Sequence, residues 1–536
     1  MKPFLSTLIL ICISVAAYAQ SKIDVLHYKY EIELNDNNDT IYGKALIQFI
    51  ITSPISSITF DLANINKESK GIIATTAYFI RPVTDEIKFS DFIHINEKLV
   101  IPSKDTYKIG DTCYVYIIYK GIPSDGLIIS KNKYGNRTFF SDNWPNRAHN
   151  WIPCVDHPAD KATVEFIVTA PSHYQIISNG ILIEETNLSD NKKLTHWKED
   201  VPLPTKVMAV GAADFAVNYV GDVNCIPVSS WVFPEDRKDG FYDYEQAKEI
   251  LFFFINYIGP YGYKKLANIQ SKTIFGGMEN ASAIFYSENS VNGKREEEDL
   301  LAHEIVHQWF GNMATEKSFA HLWLSEGFAT YLSHVYMEDK YGVEKLNEIM
   351  RAERDEVLDF VKSSHKPVVD SVSPYMQLLN PNSYQKGGWI LHMLRRELGD
   401  SVFKKAVRQY YAAYAGKNAD TKDLQKVFET VSGKKLEFFF QQWLHNTVNP
   451  SLKLSWKYLS KEKKIQATLI QIQNGAAFNL PIEVEISFAD GKKIIKRLMV
   501  DNQSKKVDWP VTGKPVSIRL DPKVSLLFEG TVTEVK

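Results

Sequence analysis

Cysteine is scarce in this chain: four in 536 residues, one of them, Cys12, inside an apolar leader. The remaining three, Cys113, Cys154 and Cys225, allow one disulfide at most, which excludes a fold stapled by a disulfide framework. Each reads as a small buried hydrophobe rather than a ligand or nucleophile. Charge of one sign is also lacking. Lys and Arg total 62 against 64 Asp and Glu, for a net charge of −2. No basic footprint for nucleic acid and no charged tail follow from that balance. After the leader no apolar run is long enough to cross a bilayer. Internal repeats and low-complexity segments are absent too, which excludes solenoids and propellers.

What is present is ordinary globular composition, 44% hydrophobic and 24% charged, over a length sufficient for about three domains. The leader "MKPFLSTLILICISVAAYAQ" carries one positive residue, a short apolar run and Ala17-Tyr18-Ala19. It reads as a secretory signal, residues 1–19, with export to a periplasm or the outside as the expectation. Ile11 before Cys12 is not small, which argues against lipidation there. From about residue 20 to 215 the pattern is strand-like: Tyr28, Tyr30, Ile32 and Leu34 alternate with polar residues, as do Val164, Phe166 and Val168. Over 216–448 the periodicity turns mainly helical. From 449 to 536 alternation returns, in Leu452, Leu454, Trp456 and Tyr458 and again in Ile482, Val484, Ile486 and Phe488.

The chemistry concentrates in "LLAHEIVHQWFGN", residues 300–312. On a helix His303 and His307 lie about 40° apart on one face, with Glu304 at its edge. Leu301, Ala302, Ile305, Val306, Trp309 and Phe310 occupy the other half. "REEED", residues 295–299, supplies carboxylates for the helix N-terminus. Gly311 and Asn312 are candidate helix breakers. Two imidazoles one turn apart can hold one metal ion, and a catalytic zinc site takes three protein ligands and leaves a fourth position for water. In "WLSEGFATY" Glu326 projects away from Leu324, Phe328, Tyr331, Leu332, Val335 and Tyr336. It therefore completes a His-His-Glu set on a second helix.

Two more motifs make a family visible. "FGGMENASA" holds Gly276, Gly277, Met278, Glu279 and Asn280, and "SYQKGGWILHML" holds Tyr384. With H-E-x-x-H and its distant Glu, the chain resembles the M1 family of zinc aminopeptidases, the gluzincin group that includes aminopeptidase N and the leukotriene hydrolase branch. "NWPNRAHNWIPCVDHPADKATVEFIVTAP" and "FFFQQWLHNTVNP" extend the likeness to the first domain and to the end of the helical one. The resemblance implies an α+β multidomain fold: an N-terminal antiparallel β saddle or sandwich, a thermolysin-like, mainly helical catalytic domain and a small C-terminal β sandwich. It implies one zinc per chain on His303, His307 and Glu326, Glu304 as general base and Tyr384 as oxyanion donor. Glu279, helped by Glu326, would receive the free α-amine of a peptide substrate, and the Gly276-Gly277 backbone would line it.

The chain departs from familiar members in three places. Where many have Gln-x-Glu or Gln-x-Gln to help hold the amine, it has Asp142-Asn143-Trp144. Asp142 is expected to assist and Trp144, which is no acid, to reshape the first pocket. Gly277 replaces a common Ala, as in the leukotriene hydrolase and aminopeptidase B branch. Finally, the long C-terminal helical domain of many members is expected to be missing, leaving the site more open. Two other readings share these residues: a zinc endopeptidase or epoxide hydrolase, and a secreted binding protein with a dead site. The oligomeric state is left open.

Overall fold

The computed structural model describes residues 22–80, 87–89, 91–103 and 106–535, so the signal-peptide expectation lies outside the described residues. The fold is α+β and multidomain, a β-rich first part, a mainly helical middle and a C-terminal pair of sheets. Alternation builds the first part. Tyr28, Tyr30 and Ile32 of strand Ile23–Glu33 are buried while their neighbours are less so, and Val164, Phe166 and Val168 of Lys161–Pro171 follow suit. These strands lie side by side at the centre of an eight-stranded sheet. Their pairing is parallel, with Tyr28 opposite Val164, while the other pairings of this sheet are antiparallel. A parallel neighbour needs a long crossover, and here the chain between residues 33 and 161 builds most of the remaining strands. Two smaller sheets, of four and three strands, accompany the large one.

The middle part is not helical throughout. Ala216–Val223, Ile226–Val232, Leu266–Ser271, Ala283–Ser287 and the short edge strand Gly277–Met278 form a five-stranded sheet. The helices that follow include Glu298–His307, Trp323–Tyr341, Val343–Ser364 and Gly387–Leu398. The second of these is buried on every side from Trp323 to Met337, so Glu326 sits inside the protein rather than on a polar face. Helices Trp323–Tyr341 and Gly387–Leu398 cross where Gly327 meets Gly387. A Cβ on Gly327 would lie 2.8 Å from the Gly387 carbonyl carbon, and one on Gly387 would lie 2.9 Å from the Gly327 Cα. Only a glycine pair permits that approach, and it brings the segment carrying Tyr384 against Glu326.

The C-terminal strands form sheets of four and three strands, with Leu452, Leu454, Ile482, Val484 and Ile486 buried. Among the described residues no helix is long and apolar enough to cross a membrane. Cys113 and Cys154 are buried, but Cys225 is exposed. It lies in a turn with positive φ beside Asn224, where a core position was expected.

Candidate metal centre and active site

The helix Glu298–His307 fixes two imidazoles and the helix Trp323–Tyr341 fixes the carboxylate facing them. Nε2 of His307 lies 3.1 Å from Nε2 of His303, and Glu326 Oε2 lies 3.2 Å from His307 Nε2 and 3.5 Å from His303 Nε2. A tetrahedral zinc with bonds of about 2.0–2.1 Å has ligand–ligand edges of about 3.3–3.4 Å, so the triangle has the right size. The donor set, two neutral nitrogens and one carboxylate, suits the same ion. His307 is oriented from behind: its Nδ1 is 3.1 Å from both the Phe310 carbonyl and Ser325 Oγ, which leaves Nε2 facing the triad. Burial disfavours the charged imidazole, yet the Glu326 carboxylate wins and lifts His307 to about 9. Burial would likewise raise Glu326, but the two histidines hold it well below the carboxylate range.

Behind His303, one turn back, is Asp299. His334 lies between Asp299 and Glu353, with Nε2 2.8 Å from Glu353 Oε1 and Nδ1 3.8 Å from Asp299 Oδ1. Burial would raise Asp299, but His334 keeps it low, so a negative charge persists next to the first ligand. Glu298, expected to serve the helix N-terminus, also accepts hydrogen bonds from Tyr336, Lys340 and Tyr341. It therefore ties the two metal-site helices together.

The triad opens on a cavity of about 480 Å³ lined also by Glu304, Tyr384, Trp144, Phe275 and the stretch Gly276–Glu279. Burial pushes the Glu304 carboxyl well above its usual range. Its carboxyl lies over Gly277: a Cβ there would stand 2.2 Å from Oε1 and 2.5 Å from Cδ. The missing side chain is therefore room that Glu304 occupies. Tyr384 stacks on His303, ring centroids 6.0 Å apart, and its hydroxyl engages Glu326. Burial first, then the surrounding carboxylates, keep that phenol protonated. It sits in a π-helical turn, Asn382–Lys386, just before the helix that Gly387 seats.

Glu279 is 6% exposed and its Oε1 has no hydrogen-bond partner among the described residues. Its backbone carbonyl accepts from Asn312 Nδ2 at 2.6 Å and Gln308 Nε2 at 3.1 Å, while Gln308 Oε1 accepts from Ser282 N at 2.8 Å. Gln308, which sequence reasoning passed over, and Asn312, read there only as a helix breaker, thereby clamp the glycine-rich segment to the end of the histidine helix. Asn280 is wholly buried and does not line the cavity.

Of the triplet Asp142-Asn143-Trp144, only the last faces the cavity. Asp142 is fully buried, paired with Arg147, and accepts from Thr273 Oγ1 and Ile274 N, both at 3.0 Å. Asn143 donates to the Thr205 and Met208 carbonyls at 3.1 and 2.8 Å and accepts from Trp151 Nε1 at 2.8 Å. The expectation that Asp142 and Asn143 touch substrate is corrected: their polar atoms are committed to holding the loops. Trp144 packs edge-on against Phe275 and Phe319, centroids 6.2 and 5.7 Å away, and gives the cavity an aromatic wall.

A His-His-Glu centre, a buried carboxylate beside it and an edge strand along the cavity define a gluzincin type of site. Residues 242–443 match the Peptidase family M1 domain and residues 25–207 the Peptidase M1 N-terminal domain. The two together account for most of the chain, which belongs to peptidase family M1. It is 28% identical to "Probable aminopeptidase 2" of Sulfurisphaera tokodaii over 70% of this chain and 49% of that protein. It is 31% identical to "Aminopeptidase A" of Gloydius brevicauda over 67% and 40%. With "Aminopeptidase M1" of Arabidopsis thaliana it shares 30% over 56% and 36%. The chain spans about half, or less, of the length of these curated relatives.

Proposed function

We propose that this protein is a zinc-dependent aminopeptidase that removes N-terminal residues from peptides. One observation carries the reading: the cavity that holds the His303, His307 and Glu326 triad also presents a buried Glu279 carboxylate oxygen with no partner among the described residues. An unpaired buried carboxylate is costly, and an incoming ammonium would pair it. Glu279, with Glu326 near it, holds the α-amine and so sets the scissile bond one residue from the end.

The strand Gly277–Met278 lies at the edge of its sheet, and its backbone can pair with an extended substrate. Bound zinc supplies polarisation of the carbonyl and acidification of water toward neutral pH. Glu304 takes the proton of the attacking water and passes it to the leaving amine. Tyr384, kept protonated, donates its O–H to the developing oxyanion. The leader supports an exported enzyme, periplasmic or extracellular.

The test is a panel of aminoacyl reporters and short peptides, each with a free and an acetylated amine, assayed with and without chelator. Chelation should abolish turnover and added zinc restore it, and acetylated substrates should resist. Internal cleavage of an acetylated peptide as fast as trimming of the free one would replace this reading with an endopeptidase.

A further inference from the structure

Six carboxylates line the active-site cavity: Glu279, Glu296, Glu297, Asp299, Glu304 and Glu326. Glu279, Glu304 and Glu326 serve as amine receptor, base and metal ligand in the reading above. Glu296, Glu297 and Asp299 have no part in it. Among the described residues no Lys or Arg lines the cavity to answer them. Glu296 has an exposed partner in Lys294, whose Nζ lies 3.7 Å from Oε1. Asp299 shares His334 with Glu353, one imidazole for two carboxylates. A helix N-terminus favours acids at these positions, yet Glu298 in the same run turns away from the cavity to Tyr336, Lys340 and Tyr341.

The contacts along the histidine helix decide which end of a substrate the three acids meet. The segment from Gly276 to Glu279 runs beside that helix in the same direction. A Cβ on Gly276 would lie 3.9 Å from Leu300 Cδ1 and one on Gly277 2.2 Å from Glu304 Oε1. The Glu279 carbonyl accepts from Gln308 and Asn312, past the end of the helix. Glu279, 6% exposed and with Oε1 unpartnered among the described residues, thus marks one end of the cleft. The three acids mark the other, and the metal ligands lie between them. A peptide with its amine at Glu279 and its first carbonyl at the triad continues toward Leu300 and the acids. At about 1.5 Å of rise per helical residue, Asp299 stands about 6 Å from His303 along the axis, with Glu297 and Glu296 beyond it. An extended chain advances about 3.3 Å per residue, so the second residue of the peptide begins about half-way to Asp299, and a long side chain covers the rest.

We propose that Glu296, Glu297 and Asp299 select peptides whose second residue, the first on the leaving side of the scissile bond, is Lys or Arg. The inference rests on the aminopeptidase reading and deepens it by naming a substrate class. The substrate amine answers Glu279 and leaves the far end of the cleft negative. A cationic side chain there is attracted by three carboxylates in a partly enclosed cleft, and an Asp or Glu is repelled by them. The attraction acts on bound substrate and transition state alike, so it belongs in KM.

The experiment measures leucine release from Leu-Arg-Ala, Leu-Gln-Ala and Leu-Glu-Ala by the full-length, zinc-loaded protein at low and at high salt. At low salt kcat/KM should fall in the order Arg, Gln, Glu, with Arg about tenfold above Gln, the sum of three ion pairs of modest strength. Most of the difference should lie in KM, and high salt should compress the series. Glu296→Gln/Glu297→Gln should cut the Arg-to-Gln ratio by about threefold or more, and adding Asp299→Asn should bring it near one. The ratio compares two substrates on one preparation, so a partial loss of folded or zinc-loaded protein cancels. Equal kcat/KM for the Arg and Gln peptides in the wild type at low salt, or a wild-type ratio in the double variant, overturns the proposal. If leucine is released from none of the three peptides, the aminopeptidase reading falls, and this inference with it.

Discussion

Replacing Glu279 by Gln removes one charge and almost nothing else. The side chain keeps its length, and the backbone carbonyl stays clamped by Asn312 and Gln308. At 6% exposure little water screens the site. Two unit charges about 4 Å apart attract by about 4 kcal/mol at an effective dielectric constant of about 20. Stripping water from the ammonium takes part of that back, and hydrogen bonds to charged groups contribute about 1.5–3 kcal/mol net. Glu279→Gln should therefore lower kcat/KM for free-amine substrates by about ten- to a hundredfold. Because the ammonium is bound in both ground and transition states, most of the loss belongs in KM. Steady-state kinetics on aminoacyl reporters, with zinc content measured on the same preparation, reads both parameters. Unchanged kinetics would refute the amine assignment, and a fall in kcat at constant KM would move Glu279 into proton transfer.

Three further predictions concern the reaction and the fold. Substituting Ala for His303 or His307 should remove zinc and activity together, whereas Glu304→Gln should keep zinc while kcat drops by about 10²–10⁴; metal analysis beside kinetics separates them, and an active Glu304→Gln would end its role as base. Tyr384→Phe should lower kcat by about 10²–10³ with KM little changed, and a change confined to KM would place the tyrosine in substrate binding. The last concerns Asp160, which burial and then Asp24 lift from 3.8 to about 8. Its folded pKa is raised, so its relative stabilisation is complete below about pH 4 and is lost as pH rises toward 8, by about 4 kcal/mol at pH 7. Asp160→Asn should accordingly gain stability relative to the wild type between pH 5 and 8 in urea unfolding, and a pH-independent difference would contradict this.

Local spacing carried most of the reaction centre. Two histidines four residues apart must share a helix face, whatever the rest of the fold does. The strands through Tyr28 and Leu452 were legible for the same reason: alternation with period two is a property of a few consecutive residues. The five-stranded sheet of the middle part was not. Leu266–Ser271 is buried on both faces although it contains Asn268, Gln270 and Ser271, and its neighbours Ile226–Val232 and Ala283–Ser287 run parallel to it, so no alternation marks it.

Glu326 was identified by an amphipathic pattern, yet its helix is buried all round. What selects it is the crossing at Gly327 and Gly387, between residues sixty positions apart. Adjacency likewise could not tell Asp142 and Asn143, whose bonds all go to loops, from Trp144, which faces the cavity. The space over Gly277 taken by Glu304 left no trace in either motif. Periodicity and short spacing are written into consecutive residues. Which buried charge meets which partner depends on how distant segments pack, and only the folded chain decides it.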